Sequence, residues 1–398
     1  MPHSSTTIAP EEESPVSDPA RSFRESFDLP TELTYLNTSF MSPLLHRVRK
    51  AAVTGIDGRA RPWEIGVDDF FAPDRQLREL SARLLGGRPT DYAIVPSVSY
   101  AVETAIANFD IPEGSQIIVL DEQFPANIYP WRAAAAKNSA ELVTVYRPED
   151  DDWAAAVERK LSRRTAVVSI PCVHWTTGAR IDLERLSRSI RSVGARFFAD
   201  ATQGAGVLDL NVSRIDPDFL ATACYKYMLG PYGMCLMYAS PEFQERGRVI
   251  EHGWLNRDNS HRFDRLTEYS DTYRPGALRF DQGERADGIK LLMTIEAILQ
   301  LLEWGRPLVE THCRKLCRHA MDRADVLKIG HPERERTSSV MLGLDLPDGY
   351  PSDIADRLRE SKIIINLRGP RIRFSVHAHN NEADVDRFFE TVARILGR

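Results

Sequence analysis

Cysteine is scarce in this chain: 398 residues hold five, at positions 172, 224, 235, 313 and 317, an odd count with no C-x-x-C pair. That pattern supplies neither a disulfide framework nor a thiolate zinc site, and it suits a reducing compartment, so a cytoplasmic location is expected. Cys313 and Cys317 stand one helical turn apart, but two thiols do not complete a zinc site. An excess of positive charge is also missing. Asp and Glu number 57 against 51 Lys and Arg, a formal net charge of −6, and an acidic surface draws neither nucleic acid nor an anionic membrane. No apolar run reaches the ~20 residues that span a bilayer. The first thirty residues include Glu11, Glu12 and Glu13 and lack an apolar core. They read as a disordered tail over 1–30, not as a signal peptide or transit sequence.

What is present is ordinary globular material, 42% apolar and 27% charged, in a chain long enough for two domains. Short, nearly continuous apolar runs at 92–95, 116–120, 142–146, 165–170, 195–199 and 218–224 alternate with helix-period stretches. That alternation predicts an α/β fold with a mostly parallel sheet and helices on both faces. Leu77, Leu80 and Leu84 predict a helix over 75–85, and Val98, Val102, Ile106 and Phe109 predict another. A long helix over 289–302 is the expected connector between a large domain, 31–287, and a smaller α+β domain, 288–398. In the latter, strands are predicted at 339–344, 363–366 and 371–376, and helices at 353–359 and 383–396. The segment 61–74, with Pro62 and Pro73, reads as irregular. It and Trp63, Trp175 and Arg257 suit a pocket wall, although no spacing ties them to a ligand.

The chemistry gathers where two of these runs end. The first stops at Asp200 and the second at Tyr225 and Lys226. In an open α/β sheet the carboxyl ends of the strands form the ligand-binding edge. An amine and a carboxylate placed there suit pyridoxal phosphate: the amine can form a Schiff base with the aldehyde, and the carboxylate can keep a proton on the pyridine nitrogen. The turn Pro96, Ser97, Val98, Ser99, Tyr100 opens a helix, where free N–H groups at the positive end of the helix dipole can cradle a phosphate. Taken singly these features are commonplace, since strand-end lysines are mostly solvated and turn serines are mostly N-caps. His252 and His261 lack ligand spacing with each other, and the HxH at His377 and His379 could suggest a metal, but two histidines alone do not make a site and no metal is expected.

Three words in order carry a family resemblance: ADATQGAG around Asp200 and Gln203, CYKYMLGPYG around Lys226, and RFSVHAHNNEADVDRF near the C-terminus. They resemble the class V, cysteine desulfurase-like aminotransferases of PLP fold type I, and the likeness runs from YLNTSFMSP at Tyr35 to the last helix. The resemblance implies a large domain with a seven-stranded, mostly parallel sheet plus the smaller C-terminal domain. It implies that Lys226 is the Schiff-base lysine, that Asp200 pairs with the pyridinium nitrogen and that Gln203 bonds the ring's phenolic oxygen. Val98 and Ser99 would hold the phosphate, joined by Tyr225 as in kynureninases, and Phe124 would stack on the ring. In the turn after 165–170, Thr177 is the expected contact, because Trp175 stands where desulfurases carry Asn. Arg373, first residue of an R-x-S motif, would hold the substrate α-carboxylate. The segment YRPGALRFDQGE resembles the one that reaches the phosphate of the other subunit. It implies a homodimer with shared sites through Gly283, although Glu284 lacks the family's hydroxyl.

The expected function is therefore a PLP-dependent enzyme acting on a small amino acid through an α-carbanion. Residues 362–371, KIIINLRGPR, hold no cysteine where desulfurases of the family need their nucleophile. A lyase on a β-substituted, cysteine-derived amino acid is the leading expectation, as in the C–S lyases of ergothioneine formation. An epimerase of the isopenicillin N type, or an aminotransferase, is the alternative. A non-catalytic PLP-binding regulator is the answer of another class, but the residues before Tyr35 are too few for a DNA-binding module.

Overall fold

The computed structural model describes residues 23–398. After a two-residue strand β1 (Thr34–Tyr35), seven strands build the main sheet: β2 (Tyr92–Val95), β3 (Gln116–Leu120), β4 (Glu141–Val145), β5 (Thr165–Pro171), β6 (Arg196–Asp200), β7 (Phe219–Ala223) and β8 (Cys235–Ala239). Their order is β2-β8-β7-β6-β5-β3-β4. Strands β7, β6, β5, β3 and β4 run parallel, and β8 is antiparallel to both neighbours, so β2 again points the same way as β7. This is the α/β sheet expected from the apolar runs. Its strands are apolar on both faces because both faces are covered: Phe197 and Ala199 enter one core, and Phe198, with Phe219 and Ala221 of β7, enters the other.

Helices sheathe the sheet by exposing charge and burying one stripe. In the helix Leu183–Ser192 the buried residues are Leu183, Leu186, Ser187 and Ile190, and the Asp182 carboxylate caps it by accepting from the Arg185 N–H at 2.9 Å. Each of the two leucines and the isoleucine contributes roughly 1.5–3 kcal/mol by leaving water. The C-terminal part holds an antiparallel sheet of β9 (Met341–Asp345), β11 (Asn366–Arg368) and β12 (Arg371–Ser375), while β10 (Ile363–Ile364) pairs with β1. The helix predicted over 289–302 spans Gly288–Trp304, and the Asp287 carboxylate caps it by accepting from the Ile289 and Lys290 N–H groups at 3.0 Å each.

Several expectations need correction. Most of the tail expected over 1–30 lies outside the described residues, but from residue 23 the chain is packed. Phe23 and Phe27 are 3% and 4% exposed, with ring centroids 5.1 and 6.1 Å from Trp304. Pro73 does not mark irregular chain; it sits in the first turn of the helix Ala72–Leu85, where its missing N–H costs nothing. The single strand expected over 363–366 is split between β10 and β11. No bounds were predicted for the long helices His46–Arg59 and Arg306–Val326, the latter foreseen only through the Cys313 and Cys317 spacing.

One buried ion cluster fixes the chain near Gly283. Asp281 pairs with Arg78 at 2.7 Å and with Arg285 at 3.0 Å, Asp74 pairs with Arg285 at 2.8 Å, and the Asp281 carboxylate also accepts from the Ile94 N–H at 2.8 Å. Asp74, Asp281 and Arg285 are 0% exposed, so each charge depends on its partners.

Candidate active site

The carboxyl ends of β2, β3, β5, β6 and β7 converge on one edge of the sheet. There they enclose a cavity of about 190 Å³ whose wall includes Ser97, Phe124, Trp175, Asp200, Gln203 and Lys226. The geometry is local in origin. Asp200 is the last residue of β6, and its carboxylate accepts from the Thr202 N–H at 3.0 Å. The Thr202 hydroxyl in turn accepts from the Ala223 N–H at 3.2 Å, tying the Asp200 turn to the end of β7. Lys226 follows in a turn closed by the Leu229 N–H on the Lys226 carbonyl at 3.1 Å and the Gly230 N–H on the Cys224 carbonyl at 2.8 Å. Gly206 lets this turn pack against the ADATQGAG loop: its φ is +98°, and a Cβ there would lie 2.5 Å from the Tyr227 carbonyl oxygen.

Burial dominates the electrostatics. Lys226 is 4% exposed, and desolvation, with help from Arg373 and Arg368, brings its ammonium from 10.5 down to about 7 against the opposing pull of Asp200. Desolvation raises Asp200 above its ordinary value, opposed by the Thr202 hydrogen bonds and Lys226. Lys226 Nζ lies 5.1 Å from the Phe124 ring centroid and 5.6 Å from that of Tyr225. Burial pushes the Tyr225 hydroxyl up to about 12. Gln203 donates to the Ser39 carbonyl at 3.3 Å, and its Oε1 is buried without a partner among the described residues. Ser97 caps the helix Val98–Asn108, its hydroxyl accepting from the Tyr100 N–H at 3.2 Å, and the start of that helix borders the cavity, where Ser97, Val98 and Ser99 form part of its wall.

Seven of the expected site residues, Val98, Ser99, Phe124, Asp200, Gln203, Tyr225 and Lys226, line this one cavity. Three do not. Thr177 is turned into its own loop, its hydroxyl 3.2 Å from His174 Nδ1 and accepting from the Ala179 N–H at 3.2 Å. It staples the loop that presents Trp175, and burial keeps His174 near 4, hence neutral. Gly283 packs against Glu251 of the same chain, donating its N–H to Oε1 at 2.8 Å, and Glu251 also accepts from the Tyr100 hydroxyl at 3.1 Å. Arg373, 1% exposed, sits behind the wall with its guanidinium carbon 5.2 Å from the Trp175 ring centroid. Its Nε and Nη2 are buried without hydrogen-bond partners among the described residues. Trp175, expected as pocket wall, does line the cavity, whereas Trp63, 78% exposed, and Arg257 do not, and Thr202 and Tyr232 line it unanticipated. The signal for Trp175 was its place at the carboxyl end of β5. His377 and His379 face backbone carbonyls of Tyr227 and Tyr35, each at 3.1 Å, and burial holds them near 4 and 3.

These residues fit pyridoxal phosphate: a buried amine near neutrality, a buried carboxylate with one oxygen hydrogen-bonded, an orphaned amide oxygen, and a helix N-terminus bordering the same space. Fold and site together define a PLP enzyme of fold type I. The profile of the aminotransferase class-V family matches residues 75–388, and the chain belongs to that family of PLP-dependent enzymes. Isopenicillin N epimerase of Streptomyces clavuligerus is 26% identical over 378 residues, covering 91% of this chain and 94% of that one. The apo cysteine desulfurase of Thermococcus onnurineus superposes with a TM-score of 0.81 at 19% identity, covering 95% of this chain and 98% of that one. The cystine C–S lyase C-DES, with glycine covalently linked to its PLP, gives a TM-score of 0.85 at 18% identity, covering 93% and 98%. Among the described residues no helix is long and apolar enough to cross a membrane.

Proposed function

We propose that the enzyme is a lyase that removes a sulfur substituent from Cβ of a cysteine-derived amino acid. Bound PLP supplies an electron sink for the carbanion at the substrate α-carbon. Lys226 would hold the cofactor and then, as a free amine near neutrality, take the α-proton, a task for which a lysine held near 7 is matched to neutral pH. Asp200 would keep the pyridine nitrogen protonated, Gln203 would bond the phenolic oxygen, and Phe124 would cover the ring. Val98, Ser99 and Tyr225 would hold the phosphate, and Arg373 the α-carboxylate through a two-point guanidinium contact.

The observation that favours elimination over desulfurase chemistry is the state of the thiols. All five cysteines are buried. Burial pushes Cys224 up to about 12 and Cys235 well above its ordinary value, and a thiol held protonated is a poor nucleophile. The hairpin before Arg373 offers none. An epimerase is the second reading, favoured by the Streptomyces clavuligerus relative that covers 91% of this chain. The same reading takes the protein as a cytoplasmic homodimer whose Gly283 loop serves the partner's site, and divides each chain at 287/288. The test is to incubate PLP-loaded protein with S-substituted cysteines and assay pyruvate beside chiral analysis of the remaining amino acid. Pyruvate with a thiol or sulfenate supports the lyase; racemised substrate without pyruvate replaces it with the epimerase.

A further inference from the structure

The hairpin of β11 and β12 places a second unneutralised charge beside the first. Antiparallel pairing sets Asn366 opposite Arg373 and Arg368 opposite Arg371, so Arg368, Arg371 and Arg373 project from one face. Arg371 is neutralised, pairing with Asp345 at 2.7 Å and Glu122 at 3.2 Å. Arg368 is not. Its Nη1 donates to the Asn366 side chain and, at 2.7 Å, to the Leu367 carbonyl, both uncharged. Its guanidinium carbon lies 5.2 Å from the Trp175 ring centroid, the same distance as that of Arg373. Among the described residues no carboxylate pairs with either guanidinium, yet Arg373 is 1% exposed and Arg368 half-buried. Two partly desolvated like charges beside one indole are mutually unfavourable, and Arg368 works against the charge on Arg373 and on Lys226. An α-carboxylate carries one negative charge and neutralises one of them.

We propose that the substrate is an amino acid with a second acidic group on its side chain, the α-carboxylate held by Arg373 and the distal acid by Arg368 beside Trp175. This rests on the assignment of Arg373 to the α-carboxylate, and it narrows the substrate class to cysteine derivatives whose sulfur substituent bears a carboxylate or similar anion. Lysine at 368 would keep the charge without the planar fork, and glutamine would keep much of the packing without the charge.

The test uses a pair of ligands alike in shape and different in charge, S-carboxymethyl-L-cysteine and S-carbamoylmethyl-L-cysteine. Both are titrated calorimetrically into PLP-loaded Lys226→Ala protein, which binds without turnover. Comparison is then made with R368Q and R368K in that background. The acid is expected to bind about 10- to 100-fold more tightly than the amide, the range of a charge-assisted contact. R368Q should abolish that preference, the acid losing far more affinity than the amide, and R368K should restore part of it; parent-like PLP uptake and circular dichroism show that each variant is folded. Equal binding of acid and amide, or equal loss of both in R368Q, would overturn the proposal. Wild-type protein that takes up no PLP would sink the functional reading and this inference together, whereas normal uptake with equal binding sinks this inference alone.

Discussion

The rate at which apoprotein takes up PLP should titrate with Lys226, because only the neutral amine is nucleophilic. With the ammonium at about 7, roughly one-tenth of the protein is reactive at pH 6 and about nine-tenths at pH 8, where an ordinary lysine is about 0.3% neutral. The loading rate should therefore rise about tenfold from pH 6 to 8 and then level off. The shift has three named causes besides burial, and each can be removed. Arg373→Gln or R368Q takes away a like charge and should move the midpoint up, and Asp200→Asn takes away the opposing attraction and should move it down. Desolvation is the largest cause, so each change should stay within about one pH unit. Stopped-flow absorbance on apoprotein mixed with excess PLP reads the profile directly. The second ionisation of a phosphate monoester, at about 6, is common to every variant and cancels from the comparison. A wild-type rate still climbing steeply above pH 9, or a midpoint indifferent to all three substitutions, would refute the reasoning.

Phe23→Ala should cost about 3–5 kcal/mol, read as a lowered denaturation midpoint; no change would mean that this segment is not docked on Trp304. Asp281→Ala strands Arg78 and Arg285 in the interior and should cost about 3–5 kcal/mol, with a smaller loss expected for Asp281→Asn, which keeps an acceptor for the Ile94 N–H; chemical denaturation of both compares them. Gly178 has φ +79°, and a Cβ there would meet the Met341 carbonyl oxygen at 2.3 Å, so Gly178→Ala should destabilise by about 1–3 kcal/mol or more. An unchanged thermal midpoint would show that the loop carrying Trp175 gives way.

Six of the seven strands were legible because each is a short apolar run. β2 and β3 occupy the predicted residues, β5 is one residue longer, and β4, β6 and β7 differ by one residue at each end, since a strand buried on both faces needs no partner pattern to be recognised, while β8 (Cys235–Ala239) was not among the predicted runs. The helix His46–Arg59 was not legible, for it buries only Val48 and presents no stripe. The helix Arg306–Val326 does carry one, Val309, Cys313, Leu316, Cys317, Ala320 and Ala324, but small residues and two thiols disguise it. At the site, Asp200, Gln203 and Lys226 are readable because the strands that position them are contiguous with them in sequence. The meeting of Trp175 with Arg368 and Arg373 is not, because it joins the end of β5 to a hairpin nearly two hundred residues later. Phe23 and Phe27 were lost among polar and charged neighbours for the same reason: their partner, Trp304, lies at the far end of the helix Gly288–Trp304.

The most direct measurement is the absorption spectrum of purified protein after adding PLP and removing the excess, for wild type and for Lys226→Ala. A visible band bound to the wild-type chain that borohydride fixes onto Lys226, and that the variant cannot fix, is the predicted result. Wild-type protein with no bound band, or a variant that fixes the cofactor equally well, would contradict the assignment of Lys226 and with it the account of the site.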